Sequence, residues 1–387
     1  MKSRLLTLFA VLFSCLLAAL STGSKIYLLF AVLLTAMALL SFMSVTLAGR
    51  SASVSHTLSS HRVQRGEDVT LEIVVKHRGF LPIAPITIIL SAAPGEPPIA
   101  TRLPFSGRKS QRLAYRFTTA HVGVFSPGVL SYQVEDVFGF FARKLLPDSP
   151  PLDLMVLPLP FEVEPLLFSP GDTGLESLAR AREDPTTPSD VRTYQPGDPL
   201  KKIHWKLSMR KRELMVRRFE EPALPDALVL LDCAPPYLQD MLKPQAKAFL
   251  QDALCETAAS VVLKQMRGDH PVRLPLLGKK PMEYDKSMGA PALLEELARL
   301  DFSQSERFER VLLLETRRMR RTGATVIITS RLNSTVADMI IRIRRMGPTV
   351  RLYLITFAPE NPVLLPIISR LQQNTIEVCY VTPAKAE

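Results

Sequence analysis

Two apolar runs open the chain and limit what it can fold into. Leu5–Leu20 and Ile26–Leu47 carry no charged residue and are joined by the polar link Ser21-Thr-Gly-Ser-Lys25. At a rise of about 1.5 Å per residue the second run suffices for a hydrocarbon core of about 30 Å, and the first is just usable. The competing reading is a secretory leader, with Lys2 and Arg4 as its basic n-region, but a second apolar run would then open the mature chain at once. The pattern predicts a transmembrane helical hairpin over residues 1–50, with helices at about 5–20 and 26–47. Lys2 and Arg4 precede the first run, and Arg50, His61, Arg62 and Arg65 follow the second, whereas the link holds only Lys25. By the positive-inside rule both ends face the cytoplasm.

The chain has 387 residues, enough for two soluble domains behind such an anchor. Its four cysteines (Cys15, Cys233, Cys255, Cys379) share no CxxC-type spacing, which suits buried thiols in a reducing compartment rather than a disulfide or zinc framework. A net charge of +11 points to an anionic partner: an acidic protein, nucleic acid or the negative cytoplasmic leaflet. Many of the 32 prolines fall between Pro147 and Pro225, where they mark turns and linkers.

Residues 51–160 have the signature of an antiparallel β-sandwich. Val69–Val75, Ile83–Leu90, Gln111–Phe117 and Val129–Val134 are short β-branched or alternating runs bounded by Gly and Pro. His56, His61, His77 and His121 show no ligand spacing and are expected on the surface. From residue 223 to 387 the period changes to that of an α/β domain. Buried strands are expected at Ala227–Leu231, Val272–Leu277, Ala324–Thr329, Val350–Thr356 and Ile376–Val381. Helices are expected at Pro244–Arg267, Pro291–Leu300, Arg307–Arg321 and Asn333–Met346. That alternation implies a parallel sheet covered on both faces, whose strand C-terminal edge, with Asp232, Thr329 and Ser330, is the default binding site.

Residues 161–222 connect the two domains and contain the most distinctive stretch, Asp190 to Glu221. It holds the chain's only tryptophan and eight Lys or Arg between Leu200 and Phe219. Gln195-Pro-Gly-Asp198 reads as a turn, with Gly197 supplying positive φ and Asp198 capping a short helix that begins at Pro199. On that helix Ile203 and Leu207 share one face, while Lys201, Lys202 and Lys206 project elsewhere. Structurally, Trp205 packs the segment against a domain and Asp198 pairs with Arg192 or Arg210. Functionally, the cations form a docking surface for an acidic partner, and the two roles are compatible.

This stretch, Val191-Arg-x-Tyr-x-Pro-Gly-Asp198 followed by Ile203-x-Trp-Lys206, Ser208, Arg210 and Leu214-x-Val216, resembles the bacterial "domain of unknown function 58" family. The run His121–Gly128 and Glu135-Asp-Val-Phe-Gly-Phe140 resemble the end of that family's β-rich domain. Met209 departs from the small residue expected there. The resemblance implies a two-helix membrane anchor, a β-rich domain and a von Willebrand factor type A-like α/β (Rossmann-like) domain in the bacterial inner membrane. It also implies an accessory or adaptor role beside MoxR-type AAA+ ATPases and transglutaminase-like membrane proteins. The motif residues Arg192, Tyr194, Gly197, Asp198, Lys201, Lys202, Trp205, Lys206 and Arg210 would form the partner surface.

Such α/β domains often bind Mg²⁺ through Asp-x-Ser-x-Ser, but here Asp232-Cys-Ala-Pro-Pro236 puts Ala234 and Pro236 in place of both hydroxyls. The site is degenerate, Asp232 is expected to cap a loop or helix, and no cofactor is expected. Catalytic motifs are missing: there is no Gly-x-Ser-x-Gly, no Walker loop and no HExxH. A Cys–His pair would need His204 or His270 to reach Cys233 or Cys255, leaving an envelope-processing enzyme as the alternative. Nucleic-acid binding has less support, because aromatic residues scarcely interleave the basic run. Arg317–Arg321 and Arg342–Arg345 read as solvated helix faces or contacts to anionic lipid.

Overall fold

The computed structural model describes residues 2–77, 85–91, 97–104, 110–166, 168, 190–196, 200, 203–218, 226–235, 244–268, 271–275, 282–284, 289–302, 308–317 and 322–383. The chain divides into two compact units, Met1–Leu157 and Pro158–Glu387.

The first unit opens with helices α1 (Lys2–Thr22) and α2 (Lys25–Ser51), both long and apolar enough to cross a membrane. They exceed the apolar runs because flanking hydroxyls satisfy the backbone locally. Thr22 donates to the Ala18 carbonyl at 2.5 Å and Ser51 to that of Leu47 at 3.0 Å. The link shrinks to Gly23 and Ser24, and Gly23, at φ +63°, closes α1 by donating its N–H to Ala19.

α2 leads directly into strand β1 (Ala52–Leu58), followed by β2 (Arg62–Gln64), β3 (Asp68–His77), β4 (Ile86–Ser91), β5 (Ile99–Leu103), β6 (Ser110–Thr118), β7 (Gly123–Phe125), β8 (Gly128–Glu135), β9 (Ala142–Leu145) and β10 (Leu154–Leu157). Antiparallel sheets β1-β3-β6 and β5-β4-β8-β9, with a third sheet β2-β10-β7, surround one apolar core. Strict alternation builds that core. Val69, Leu71, Ile73 and Val75 of β3 face Ile86, Ile88 and Leu90 of β4, while the residues between them turn outward. Ala48 of α2 joins the same cluster.

Two histidines depart from the expected surface placement. His56 (3% exposed) and His77 lie inside, at core-facing positions of β1 and β3 where the alternation dictates inward side chains. A Cβ on Gly128 would stand 2.6 Å from His56 Nε2, so glycine there is what admits the ring.

The second unit carries an antiparallel pair, β11 (Asp190–Thr193) with β12 (Met215–Arg218), bridged by the short helix α3 (Trp205–Lys211). A six-stranded sheet follows in the order β15-β14-β13-β16-β17-β18, formed by β13 (Asp226–Leu231), β14 (Val272–Leu274), β15 (Met282–Tyr284), β16 (Thr322–Thr329), β17 (Thr349–Ile355) and β18 (Glu377–Val381). All neighbours run parallel except β15, which turns back as an antiparallel edge on β14 and corrects the all-parallel expectation. β13, β16 and β17 are apolar and buried almost throughout, as strands covered on both faces must be.

Helices α4 (Pro244–Arg267), α5 (Ala290–Ala298), α6 (Phe308–Thr316), α7 (Ser334–Arg345) and α8 (Leu365–Gln373) accompany this sheet. α7 shows why one forms. Asn333 caps it by accepting from the Val336 N–H at 2.7 Å, and Val336, Ala337, Ile340, Ile341 and Ile343 make its buried stripe.

Candidate functional site

The motif segment is a small built platform. Arg192 of β11 pairs with Val216 of β12, Tyr194 N–H donates to the Leu214 carbonyl, and Ile203 adds a bridge to Val216. Between these ties sits α3; the start expected at Asp198 and Pro199 lies outside the described residues, Leu200 is in a 3₁₀ turn, and α3 itself begins only after Ile203. Ile203 is extended and buried rather than helical, and His204 is the cap: its Nδ1 accepts from the Leu207 N–H at 3.2 Å. Ser208 then locks the helix to the strand, because its buried hydroxyl accepts from the Met215 N–H at 2.8 Å. Arg212, at φ +57°, ends the helix in the left-handed conformation.

What α3 presents outward is apolar and basic together. Trp205 is 61% exposed and Met209, one turn on, is 81% exposed, so the indole does not pack the segment inward as its structural reading required. Lys206 and Arg210 are exposed beside them, and Leu200 and Leu214 add further exposed apolar surface. Gly197, Asp198, Lys201 and Lys202 lie outside the described residues, as does the side chain of Arg192, and with them the expected pairing of Asp198.

At the C-terminal edge of the sheet Asp232 is almost fully enclosed. Its Oδ2 accepts from Thr329 Oγ1 at 2.7 Å and from Arg331 Nε at 3.0 Å. Its Oδ1 accepts from Arg331 Nη2 at 2.7 Å and from the Ala234 N–H at 3.2 Å. A bidentate guanidinium thus stands where a cation would be coordinated, and the residues present do not fit a divalent ion. Arg331 was not singled out in the sequence. Its only signal was a basic residue two positions after a buried strand, 99 positions from its partner.

Neither buried thiol is poised as a nucleophile. Burial, aided by the nearby Asp232 and Asp301 charges, pushes the Cys233 thiol up to about 12, and burial pushes Cys255 well above the ordinary thiol range. Among the described residues no cluster of three or more His, Cys, Asp or Glu could hold a metal ion.

Apolar N-terminal helices, β-sheets and an α/β unit bearing a basic, Trp-containing motif define a multipart chain. Residues 190–351 match the family described as "Protein of unknown function DUF58", which supports the family that the motif resembles. No curated protein matches it. Among solved structures, it is similar at 9% identity to a PKD domain of an M14-like peptidase from Thermoplasmatales archaeon SCGC AB-540-F20, over 27% of this chain and 92% of that one, with TM-score 0.18. Sporulation control protein Spo0M from Bacillus subtilis is 14% identical over 38% of this chain and 58% of its own, with TM-score 0.16. A GH20 exo-β-N-acetylglucosaminidase from Vibrio harveyi is 8% identical over 83% of this chain and 60% of its own, with TM-score 0.20. Likenesses at this level define neither fold nor function.

Proposed function

We propose that this is a membrane-anchored adaptor whose α3 platform docks an acidic protein partner. The observation that carries the reading is the pairing of exposed Trp205 and Met209 with exposed Lys206 and Arg210 on a helix fixed at both ends. A rigid aromatic anchor ringed by cations is the composition of an interaction hot spot, and a solvent-only face gains nothing from an indole. In this reading α1 and α2 cross the inner membrane, both chain ends face the cytoplasm, and the β-rich part is a sandwich that carries no chemistry of its own. The order β15-β14-β13-β16-β17-β18 supports a von Willebrand factor type A-like α/β domain, because the same order built around a central first strand defines the doubly wound sheet. The ion pair of Asp232 with Arg331 supports a metal-free version of it. The partner class that fits is a MoxR-type AAA+ ATPase, with a transglutaminase-like membrane protein as its neighbour.

The test is co-purification of the full-length protein, solubilised from its native host, with Trp205→Ala, Met209→Ser, Lys206→Glu and Arg210→Glu introduced together. Loss of an ATPase that the parent protein retains is the expected result. Equal recovery from a variant with unchanged thermal unfolding would overturn the docking assignment.

A further inference from the structure

We propose that the turn between β8 and β9 is a third membrane-contact element, seated in the headgroup layer of the bilayer that α1 and α2 cross; this rests on the membrane reading above. The turn is Asp136-Val-Phe-Gly-Phe-Phe141, and its shape is set from within. Buried Asp136 accepts from the backbone N–H groups of Phe138 at 3.0 Å and Phe141 at 2.7 Å, while Gly139 N–H returns to the Asp136 carbonyl at 3.1 Å. Exposed turns of this kind usually carry polar residues, yet Val137 is 61% exposed and Phe138 is 52% exposed, with the Phe138 ring stacked on Phe140 at 5.8 Å.

Three ties place this turn at a definite level on the helices. Ser41 of α2 donates its hydroxyl to the Asp136 carboxylate. The next residue, Phe42, meets Phe141 edge-on with ring centroids 5.5 Å apart. Gly139, at φ +73°, lies so close to α1 that a Cβ there would stand 2.5 Å from the Arg4 guanidinium. Thr22 back to Arg4 is 22 − 4 = 18 residue steps, and Lys25 on to Ser41 is 41 − 25 = 16. At about 1.5 Å per step the turn meets the helices about 27 and 24 Å from their link. A hydrocarbon core is about 30 Å thick, so the turn sits where acyl chains give way to headgroups.

The chemistry fits that depth. Aromatic side chains favour the membrane–water boundary, and exposed Arg143 and Lys144, just beyond the turn, would face lipid phosphates there. Val137 and Phe138 extend the lipid-facing surface of Leu6, Leu39 and Leu40, which the helices leave equally uncovered. The last turns of α2, beyond about Val45, then stand clear of the hydrocarbon and join the β-core through Ala48.

The experiment is tryptophan quenching by brominated phospholipid in liposomes holding the full-length chain, with Trp205, its only tryptophan, changed to Phe. Phe138→Trp is read against Leu33→Trp in mid-α2, with Val137→Trp as a second reporter of the turn. Expected is a blue-shifted Phe138→Trp emission, quenched most by bromines near the headgroup end of the acyl chains, while Leu33→Trp is quenched most by mid-chain bromines. Quenching of Leu33→Trp with neither turn reporter affected would overturn the proposal and leave the membrane anchor standing. Quenching at none of the three positions would overturn both.

Discussion

Asp232 carries the strongest commitment of any single residue. Its side chain is 1% exposed and its charge is balanced by the Arg331 guanidinium, itself mostly enclosed. Removing one member of such a pair strands the other, and typically costs about 3–5 kcal/mol, whereas replacing both by apolar groups of similar size is often neutral. We expect Arg331→Ala to lower stability by about that amount and Asp232→Leu with Arg331→Met to recover most of it, as read from denaturant midpoints. A metal site would respond differently: Arg331→Ala would vacate it, and Mg²⁺ would then restore stability. Restoration by Mg²⁺ would overturn the structural account of this pair.

Among elements, α3 decides whether the platform is a platform. At seven residues it is too short to persist alone, so its cap and its tie to β12 must hold it. His204→Ala removes the side-chain acceptor of the Leu207 N–H, which keeps only its bond to the His204 carbonyl; a lost cap of this kind costs about 1 kcal/mol, which speeds local opening about fivefold. Amide exchange across residues 205–211 in the full-length protein should quicken by that factor, and His204→Asp, a stronger cap, should return it to the parent rate. Unchanged exchange in His204→Ala would mean that Ser208 alone holds the helix.

The same element marks where legibility in the sequence stopped. Apolar runs, buried β-branched strands and the Pro244–Arg267 helix declare themselves in composition and period alone, because each segment's burial fixes its own pattern. The break at Ile203 and the cap at His204 did not, since they depend on β12 pairing from beyond the helix. Short strands such as β2, β7 and β15 owe their state to their neighbours for the same reason. The exposure of Lys206 and Arg210 was legible because charge and exposure go together. The outward Trp205 was not, because indole composition argues for burial.

At the scale of the whole molecule, the first unit should be acid-sensitive through the histidines that its alternation turns inward. Burial holds both His56 and His77 below the ordinary imidazole value of 6.5. The folded unit therefore binds fewer protons than the unfolded chain once the pH drops below that value, and stability falls with pH. Their contribution is fully present above 6.5 and is lost as the pH falls through it toward the depressed folded values. Exchange protection in β1 and β3 should accordingly decline between neutral pH and about pH 5, after correction for intrinsic rates. His56→Phe fills a similar volume without a titrating ring and should flatten that decline. The imidazole lies against Gly128, between strands of two sheets that share one core, so charging it strains the packing of both. If His56→Phe keeps the full acid dependence, the decline belongs to His77 or to the carboxylates, and the inward ring of β1 has no part in it.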